Sequence, residues 1–246
     1  MPDVASKLIE RQIHRWNRIG AVLAKSRPKH AAGRHLSKGP VITISRQIGS
    51  GGRVVARELS ERLDLDLFGV SIIDAVAKDA SLERRIVDSL DENARSDTEN
   101  WVASLLHGRA INNHEYTIRL AHVITTIATH GRAIILGRGG AYVLGERADL
   151  RLRFYAPLEL RVKNMMQYEN LAEEQARTKI AEVDENRALF VKRLFNAEIG
   201  DQRYYDLSIN TSRVAPEKCA DLICCALKAR LSPERWEALM TKRAND

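Results

Sequence analysis

Short apolar runs alternate with helical patterns from residue 41 onwards. Five apolar runs have the length of strands, at 41–45 (VITIS), 65–68, 133–137, 150–156 and 206–210. Apolar residues at helical spacing separate them at 53–63, 70–80, 115–130, 157–170, 172–195 and 216–230. Short strands between amphipathic helices predict a mostly parallel sheet covered on both faces. We therefore expect a doubly wound α/β domain with a five-stranded sheet.

Three segments fall outside this alternation. An apolar stripe in residues 5–24 predicts an amphipathic helix, and the Pro, Gly, Ser and basic residues of 26–40 predict a linker. The polar stretch 89–114 is expected to be a mobile excursion or an insertion that binds an acceptor. The predicted divisions are an N-terminal extension (1–40), a main domain (41–230, with a lid at about 172–203) and a tail (231–246).

The helix of the N-terminal extension needs a surface to cover its apolar stripe. This stripe comprises Leu8, Ile9, Ile13, Trp16, Ile19 and Leu23. It is expected to dock on the body or on a second copy, so a homo-oligomer through this helix is one alternative. Binding to a membrane surface is disfavoured because Trp16 is its only aromatic anchor.

The positive charge of the chain is concentrated in the same extension. Residues 1–40 hold nine basic and two acidic side chains, a net charge of +7 that equals the +7 of the whole chain. The remaining residues are therefore neutral overall. Such an arm can meet nucleic acid or another acidic partner, but a solvated extension is the favoured reading, and nucleic acid is not the expected partner.

Several classes of protein are disfavoured by what the chain lacks. It has no apolar run of the roughly 20 residues that span a bilayer and no hydrophobic secretory region. Cys219, Cys224 and Cys225 lie on one predicted helix, which favours reduced cysteines in a cytoplasmic protein. The histidines show no metal-binding spacing, so no protein-held metal site is predicted.

A glycine-rich turn follows the first strand. The segment SRQIGSGGRV places Gly49, Ser50, Gly51 and Gly52 before a helix, a layout that predicts a loop whose N–H groups bind phosphate. The usual pattern G-x-x-x-x-G-K-[ST] is not met. If the loop ends at Gly52, Arg53 takes the lysine position. If it ends at Gly51, Gly52 takes that position and Arg46 replaces the first glycine. A plain turn is the alternative.

Two further groups of cations fit an anion site. Arg138 stands between glycines directly after the strand AIILG, at the end of a parallel strand, where ligands bind in open α/β sheets. The long helix 172–195 carries Asp184, Arg187, Lys192 and Arg193, which could line a lid that closes over phosphates. A solvated helix face is the alternative for this second group.

With these motifs in hand, the sequence resembles the cytidylate kinase-like family of P-loop nucleoside monophosphate kinases. Five landmarks in order carry the resemblance, namely ITISRQIGSGGR, ILGRGGAYVL, FYAPLELRV, VDENRA and YYDLSINTS, between residues 41 and 230. The family's own loop looks like GSGGR. The resemblance implies a P-loop fold with a helical lid, ATP with Mg²⁺ as donor, and an acceptor similar to CMP or dCMP.

The resemblance also assigns roles to individual residues. Gly49, Ser50, Gly51, Gly52 and Arg53 would bind the donor phosphates, with Arg53 as the substitute for the lysine. Arg46 and Arg138 would bind the acceptor. Arg187, Lys192 and Arg193 would act on the transferring group, and Asp184 would support the lid.

Several positions depart from the family pattern. Gly139 stands where relatives have an aspartate, Gly69 and Val70 where they often have Asp-Lys, and Val54 cannot supply a hydroxyl to Mg²⁺, so Ser50 or water would have to. These departures motivate a second hypothesis, a nucleotide-binding or sensing protein that has lost transfer. An acceptor outside the nucleotides is a third.

Overall fold

A computed structural model describes residues 7–16 and 39–241 of the chain. The strands in this part are β1 (Val41–Arg46), β2 (Asp66–Phe68), β3 (Ala133–Leu136), β4 (Leu150–Tyr155) and β5 (Leu207–Asn210). The helices are α1 (residues 7–16), α2 (Gly52–Leu63), α3 (Val70–Lys78), α4 (Ala80–Val87), α5 (Glu92–His107), α6 (Glu115–His130), α7 (Gly140–Leu144), α8 (Leu158–Glu169), α9 (Glu173–Phe195), α10 (Pro216–Arg230) and α11 (Pro233–Thr241).

The strands form one parallel sheet in the order β2-β3-β1-β4-β5. The central strand, β1, pairs with β3 (Ile42 beside Ile134) on one side and with β4 (Ile44 beside Leu152) on the other. This confirms the predicted doubly wound sheet. The order also fixes the site, because the carboxyl ends of β3, β1 and β4 meet at the same edge.

Both faces of the sheet are covered by helices. Ile134 packs with Leu59 of α2 and Ile223 of α10, whereas its neighbour Ile135 packs with Ile73 of α3 and Ile124 of α6. Consecutive strand residues point to opposite faces, so an unbroken apolar run such as AIIL serves two cores at once.

Helix α1 packs against the body of the protein. Ile9 and Trp16 are buried in the same core as Phe68 of β2, and the indole of Trp16 stacks on His130 with ring centroids 3.9 Å apart. Arg15 pairs with Asp66 of the edge strand β2. The prediction that the stripe docks is met on the body itself, for Ile9 and Trp16. Ile19, Leu23 and most of the predicted linker lie outside the described residues.

The predicted excursion at 89–114 is wrong in its main part. Residues 92–107 form α5, which packs on α6 through Val102 and Leu105. Its buried positions also include Ala94 and Thr98, so the inward face is small and partly polar. Such a face leaves only a weak apolar period in the sequence.

The C-terminal segment and the short helices also differ from the prediction. Residues 233–241 are not a tail but form α11, whose Leu239 is buried beside α2 and α10. Helices α4 and α7 were not predicted, because eight and five residues are too few to show a period. Of the cysteines, Cys219 is buried as expected, whereas Cys225 is exposed. Among the described helices, none combines the length and the apolar character needed to cross a membrane.

Candidate active site

The glycine-rich loop between β1 and α2 forms a nest of free amides. Gly49 and Gly51 both have φ of +75°, which an L side chain rarely adopts, and Gly51 caps the N-terminus of α2. The side chain of Ser50 is buried and donates to the carbonyl of Gln47. Within the described residues, the N–H groups of Gly49, Gly51, Gly52 and Arg53 have no acceptor. Converging amides at a helix N-terminus suit a phosphate.

Helices α8 and α9 hold this loop from the outside. Asp184 of α9 accepts the N–H of Ile48 at 3.0 Å and pairs with Arg161 of α8 at 2.5 Å. Arg161 also donates to the carbonyl of Ala156, and Asn164 donates to that of Gly49 at 2.8 Å. The loop conformation therefore depends on two elements far from it in sequence.

A cavity of about 370 Å³ opens beside the loop, at the ends of β1 and β3. Three guanidinium groups line it, from Arg46 at the end of β1, Arg138 after β3 and Arg187 on α9. Its remaining walls are mostly apolar, and include Val70, Tyr142 and Phe190. A mostly apolar cleft with a few converging polar groups is the usual form of a small-molecule site.

The cations in this cavity repel one another. Burial, followed by the positive charges of Arg187, Arg138 and Arg53, lowers the pKa of Arg46 to about 9, against a smaller opposing effect of Asp184. Burial and the charge of Arg138 also lower the pKa of Arg187, while Asp184 opposes this shift. An anion in the cavity would relieve the repulsion.

The side chain of Arg138 is held in place by its neighbours. It pairs with Asp74 of α3 and lies over the ring of Phe190 at 4.9 Å, while Tyr116 donates a hydrogen bond to the same carboxylate. Within the part of the chain described, its Nε and the hydroxyl of Thr43 are buried without partners. Both groups are in residues that line the cavity, so a ligand could satisfy them.

The lid residues divide into two groups. Val183, Asn186, Arg187, Phe190 and Val191 line the cavity, as their helical spacing dictates. Lys192 and Arg193 do not reach it: both are exposed, and Lys192 pairs with Glu198 at 2.9 Å.

The sequence predicts Lys192 and Arg193 in the site, but the structure places both outside the cavity. Each residue of an α-helix turns by about 100°. Lys192 therefore lies opposite the middle of the inward face. Arg193 shares the side of Asn186, seven residues earlier, but stands two turns further along the helix, where it is exposed and outside the cavity lining.

Arg53 also lies away from the cavity. It occupies an exposed position on the first turn of α2 and does not line the cavity. Its backbone N–H belongs to the loop, as predicted, but its side chain has no position among the three converging guanidinium groups. None of the loop residues 49–53 lines this cavity, so the role of Arg53 as the substitute for the lysine stays a prediction.

Gly139 and Gly69, two positions that depart from the family pattern, have different surroundings. A Cβ on Gly139, which has φ of +72°, would lie 2.1 Å from the ring of Phe195, whereas nothing lies within 4 Å of a Cβ on Gly69. Phe195 stacks on Tyr142 with centroids 5.2 Å apart. An aromatic lid residue therefore fills the space that an acceptor-reading aspartate would need.

The residues present do not fit a protein-held Mg²⁺. The hydroxyl of Ser50 is buried and donates to Gln47, and the side chains of Arg53 and Val54 carry no oxygen. The two carboxylates near the site, Asp74 and Asp184, are paired with arginines. No group of three metal-ligating side chains occurs among the described residues. The expectation that Ser50 or water supplies the missing oxygen ligand stays a prediction.

Sequence reasoning missed the residues that support the loop. Arg161, Val162 and Met165 are the buried residues of α8, so the arginine sits on the apolar face of the helix. A charged residue at such a position is a signal that could have been read, because buried arginines need partners. Asn164 and Asp74 gave no comparable signal.

The parallel sheet and its amide-lined loop define the class of this protein, a P-loop-type α/β phosphotransferase. Residues 41–213 match the sequence profile of the cytidylate kinase-like family. The chain belongs to this family, within the group of P-loop nucleoside monophosphate kinases.

Individual relatives agree with the family. The cytidylate kinase of Ignicoccus hospitalis is 25% identical over 183 residues, which cover 74% of this chain and 96% of that protein. That of Natronomonas pharaonis is 26% identical over 190 residues, covering 77% and 90%. A solved structure of an uncharacterized protein from Eubacterium ventriosum shares the fold, with a TM-score of 0.59 and 21% identity over 77% of this chain and 98% of that one. The relatives indicate a nucleoside monophosphate kinase.

Proposed function

We propose that the protein transfers the terminal phosphoryl group of ATP to a nucleoside monophosphate, with CMP or dCMP as the first candidates. The observation that carries this proposal is the convergence of Arg46, Arg138 and Arg187 in one cavity beside a loop of free amides. Phosphoryl transfer needs little covalent help from a protein. It needs two phosphates held in line and cations around the charge that develops between them.

Each part of the site has a task in this proposal. The amides of Gly49, Gly51 and Gly52 hold the donor phosphates at the positive end of α2. Arg138, fixed by Asp74, holds the acceptor phosphate, and Arg187 stabilises the group in transfer. The apolar walls, with Tyr142 and Phe190, receive the body of the acceptor.

Asp184 links the two halves of the site. It binds the loop through the N–H of Ile48, and it lies 3.8 Å from Arg187 one turn further along α9. Movement of α9 would therefore change the loop and the cavity together, which is the behaviour expected of a lid.

A coupled assay of ADP release tests the proposal. ATP, Mg²⁺ and each nucleoside monophosphate in turn are supplied to the full chain. We expect turnover with at least one pyrimidine monophosphate, and a loss of about 10²-fold or more in kcat/KM for Arg138→Ala. The control Arg203→Ala removes an arginine that is 86% exposed and pairs with Asp201, and should leave turnover unchanged.

A nucleotide-binding protein without transfer is the second candidate. Gly139 favours this second function, because it carries no polar side chain for an acceptor and the ring of Phe195 fills the space that such a side chain would need. Binding of ATP by the full chain, with no ADP release in the presence of any monophosphate, would establish this second function and refute the first.

A further inference from the structure

The side chain of Arg46 runs between two glycines. A Cβ on Gly52 would lie 2.9 Å from the Cβ of Arg46, and a Cβ on Gly137 would lie 2.5 Å from its Nη1. The arginine therefore starts against the phosphate loop and ends against the glycine–arginine turn after β3. Any side chain at position 52 or 137 would collide with it.

The guanidinium of Arg46 lacks a protein partner. Among the residues that the structure describes, no carboxylate lies within ion-pair distance of it and no hydrogen bond from it is formed. Arg138 and Arg187, in contrast, each have a carboxylate nearby. An unpaired, partly buried cation beside two other arginines is costly unless an anion binds there.

Compared with the usual phosphate-loop pattern, this loop has an arginine where the first glycine is expected and a glycine where the lysine is expected. When the loop is read with Gly51 as its last glycine, Arg46 stands where the pattern G-x-x-x-x-G-K-[ST] has its first glycine. Gly52 stands at the lysine. The structure favours this reading, since Gly52 is buried against Arg46 and Phe154, whereas Arg53 is exposed.

We propose that Arg46 is the phosphate-binding cation that replaces the loop lysine. It reaches the phosphates from the end of β1 instead of from α2. Its guanidinium bridges the terminal phosphate of the donor, held on the loop, and the acceptor phosphate, held by Arg138. The inference rests on the proposed phosphoryl transfer for its bridging part, but the donor-binding part stands without turnover.

The position of the guanidinium explains why both glycines are needed. Gly52 clears the root of the Arg46 side chain and Gly137 clears its tip. Planar, bidentate contact with two phosphates is a property of arginine that a lysine ammonium does not share. The carbonyl of Arg46 accepts a hydrogen bond from Arg187 at 3.0 Å, so the two cations also keep a fixed spacing.

Single substitutions give the first test. We expect Arg46→Ala to lower kcat by about 10²- to 10³-fold, and Arg46→Lys to recover only part of this loss. Arg57→Ala is the control, because Arg57 is an exposed arginine on α2 outside the cavity. Arg53→Ala tests the competing assignment and should cost less than about tenfold. A larger loss in Arg53→Ala than in Arg46→Ala would overturn the proposal.

A reciprocal exchange gives the sharper test. Gly52→Lys alone should be poorly active and less stable, since its side chain meets Arg46 and Phe154. The double variant Arg46→Gly/Gly52→Lys restores the first glycine and the lysine of the usual pattern, with Arg53 still at its hydroxyl position, and should exceed each single variant by about tenfold or more in kcat/KM. Thermal unfolding of every variant separates loss of the fold from loss of the cation. A double variant that is folded but no better than either single one contradicts the exchange.

Binding of ATP, measured by calorimetry without an acceptor, separates this inference from the proposed function. If the wild type binds ATP and Arg46→Ala does not, but no monophosphate is ever phosphorylated, the proposed function fails and the assignment of Arg46 to the donor stands. If the wild type is an active kinase and Arg46→Ala behaves like Arg57→Ala in binding and turnover, the proposed function stands and the inference is wrong.

Discussion

Glycines decide which side chains enter this site. Gly52 and Gly137 leave room for Arg46, and Gly139 leaves room for Phe195. For Gly137 and Gly139 the nearest atom belongs to a residue distant in sequence, whereas Arg46 is only six residues from Gly52. A glycine in a loop is commonly read as a backbone requirement, but here at least part of the requirement is the space taken by a neighbour.

Gly139→Ala should therefore destabilise the protein. The residue has φ of +72° and its new Cβ would lie 2.1 Å from the ring of Phe195. Left-handed strain and overpacking together should cost about 2–4 kcal/mol in the free energy of unfolding, measured by urea denaturation. Gly200→Ala is the control, because a Cβ there meets nothing within 4 Å and should change stability by less than about 0.5 kcal/mol. Equal effects would show that Phe195 does not need this space.

The protonation of Arg46 should make phosphate binding sensitive to alkaline pH. Its pKa of about 9 in the free protein rises when an anion binds, since opposite charge favours the protonated form. Affinity for ATP should be flat below pH 9 and fall above it, and binding at pH 9 should take up about half a proton. Calorimetry in two buffers of different ionisation enthalpy measures this uptake. Arg46→Gln should abolish it; uptake that persists in this variant would assign it to another group.

At the scale of elements, helix α1 completes the core beyond the edge of the sheet. The short strand β2 is one of the two edge strands of the sheet. Helix α1 packs beside it through Gln12 and Arg15, which bind Asp66, and through Trp16 beside Phe68. Such a covered edge cannot pair with another chain. The extension is thus part of the folded body at least over residues 7–16.

Two neighbouring residues of α1 test this role. Ile9 is 1% exposed and Leu8 is 37% exposed. Ile9→Ala should lower the free energy of unfolding by about 2–4 kcal/mol, and Leu8→Ala by less than about 1 kcal/mol. Because neither side chain lines the cavity, turnover per folded molecule should not change in either variant. Equal stability of the two variants in urea would mean that α1 does not pack as described.

At the scale of the whole molecule, the site is built from three segments that meet at the carboxyl ends of the central strands. The loop, the turn after β3 and helix α9 meet only because β1 lies between β3 and β4. A ligand that bridges them stabilises the whole fold by mass action, since it binds the folded state alone.

ATP should therefore raise the melting temperature of the full chain. At a concentration 100 times its dissociation constant, the gain is about 2.7 kcal/mol, or roughly 5–10 °C for a chain of this size. The gain should be much smaller in Arg46→Ala and unchanged in Arg57→Ala. Thermal scans with and without ATP measure it. An equal gain in wild type and Arg46→Ala would exclude Arg46 from the donor site.

Much of the fold could be predicted from the sequence, and the reasons are local. The runs VITIS and AIILG are apolar, β-branched and bounded by glycines, so they were recognised as strands, while α2, α6 and α9 show clear helical periods. Helix α5 was missed because its inward face holds Ala94 and Thr98. Helix α11 was missed because its nine residues, Pro233–Thr241, are too few to show a helical period.

The site was predicted in part. Arg138 and Arg187 both line the cavity. They could be singled out from the sequence because glycines at a strand end and helical spacing are local signals. Lys192 and Arg193 are predicted in it from their charge and their spacing to Arg187, but neither lines the cavity. Arg161 was overlooked because its partners, Asp184 and the carbonyl of Ala156, lie in other elements.

The sequence by itself determined the class of fold, the position of the phosphate loop and the family, because strand period, glycine placement and ordered motifs are written along the chain. Only the tertiary structure decided which cation lines the cavity. Arg46 and Arg53 both flank the loop in sequence, but the side chain of one crosses the sheet edge towards Gly137 while the other lies on an exposed helix turn. The direction of a side chain depends on the backbone geometry and on the space that residues of other elements leave for it. Neither can be read from the order of residues.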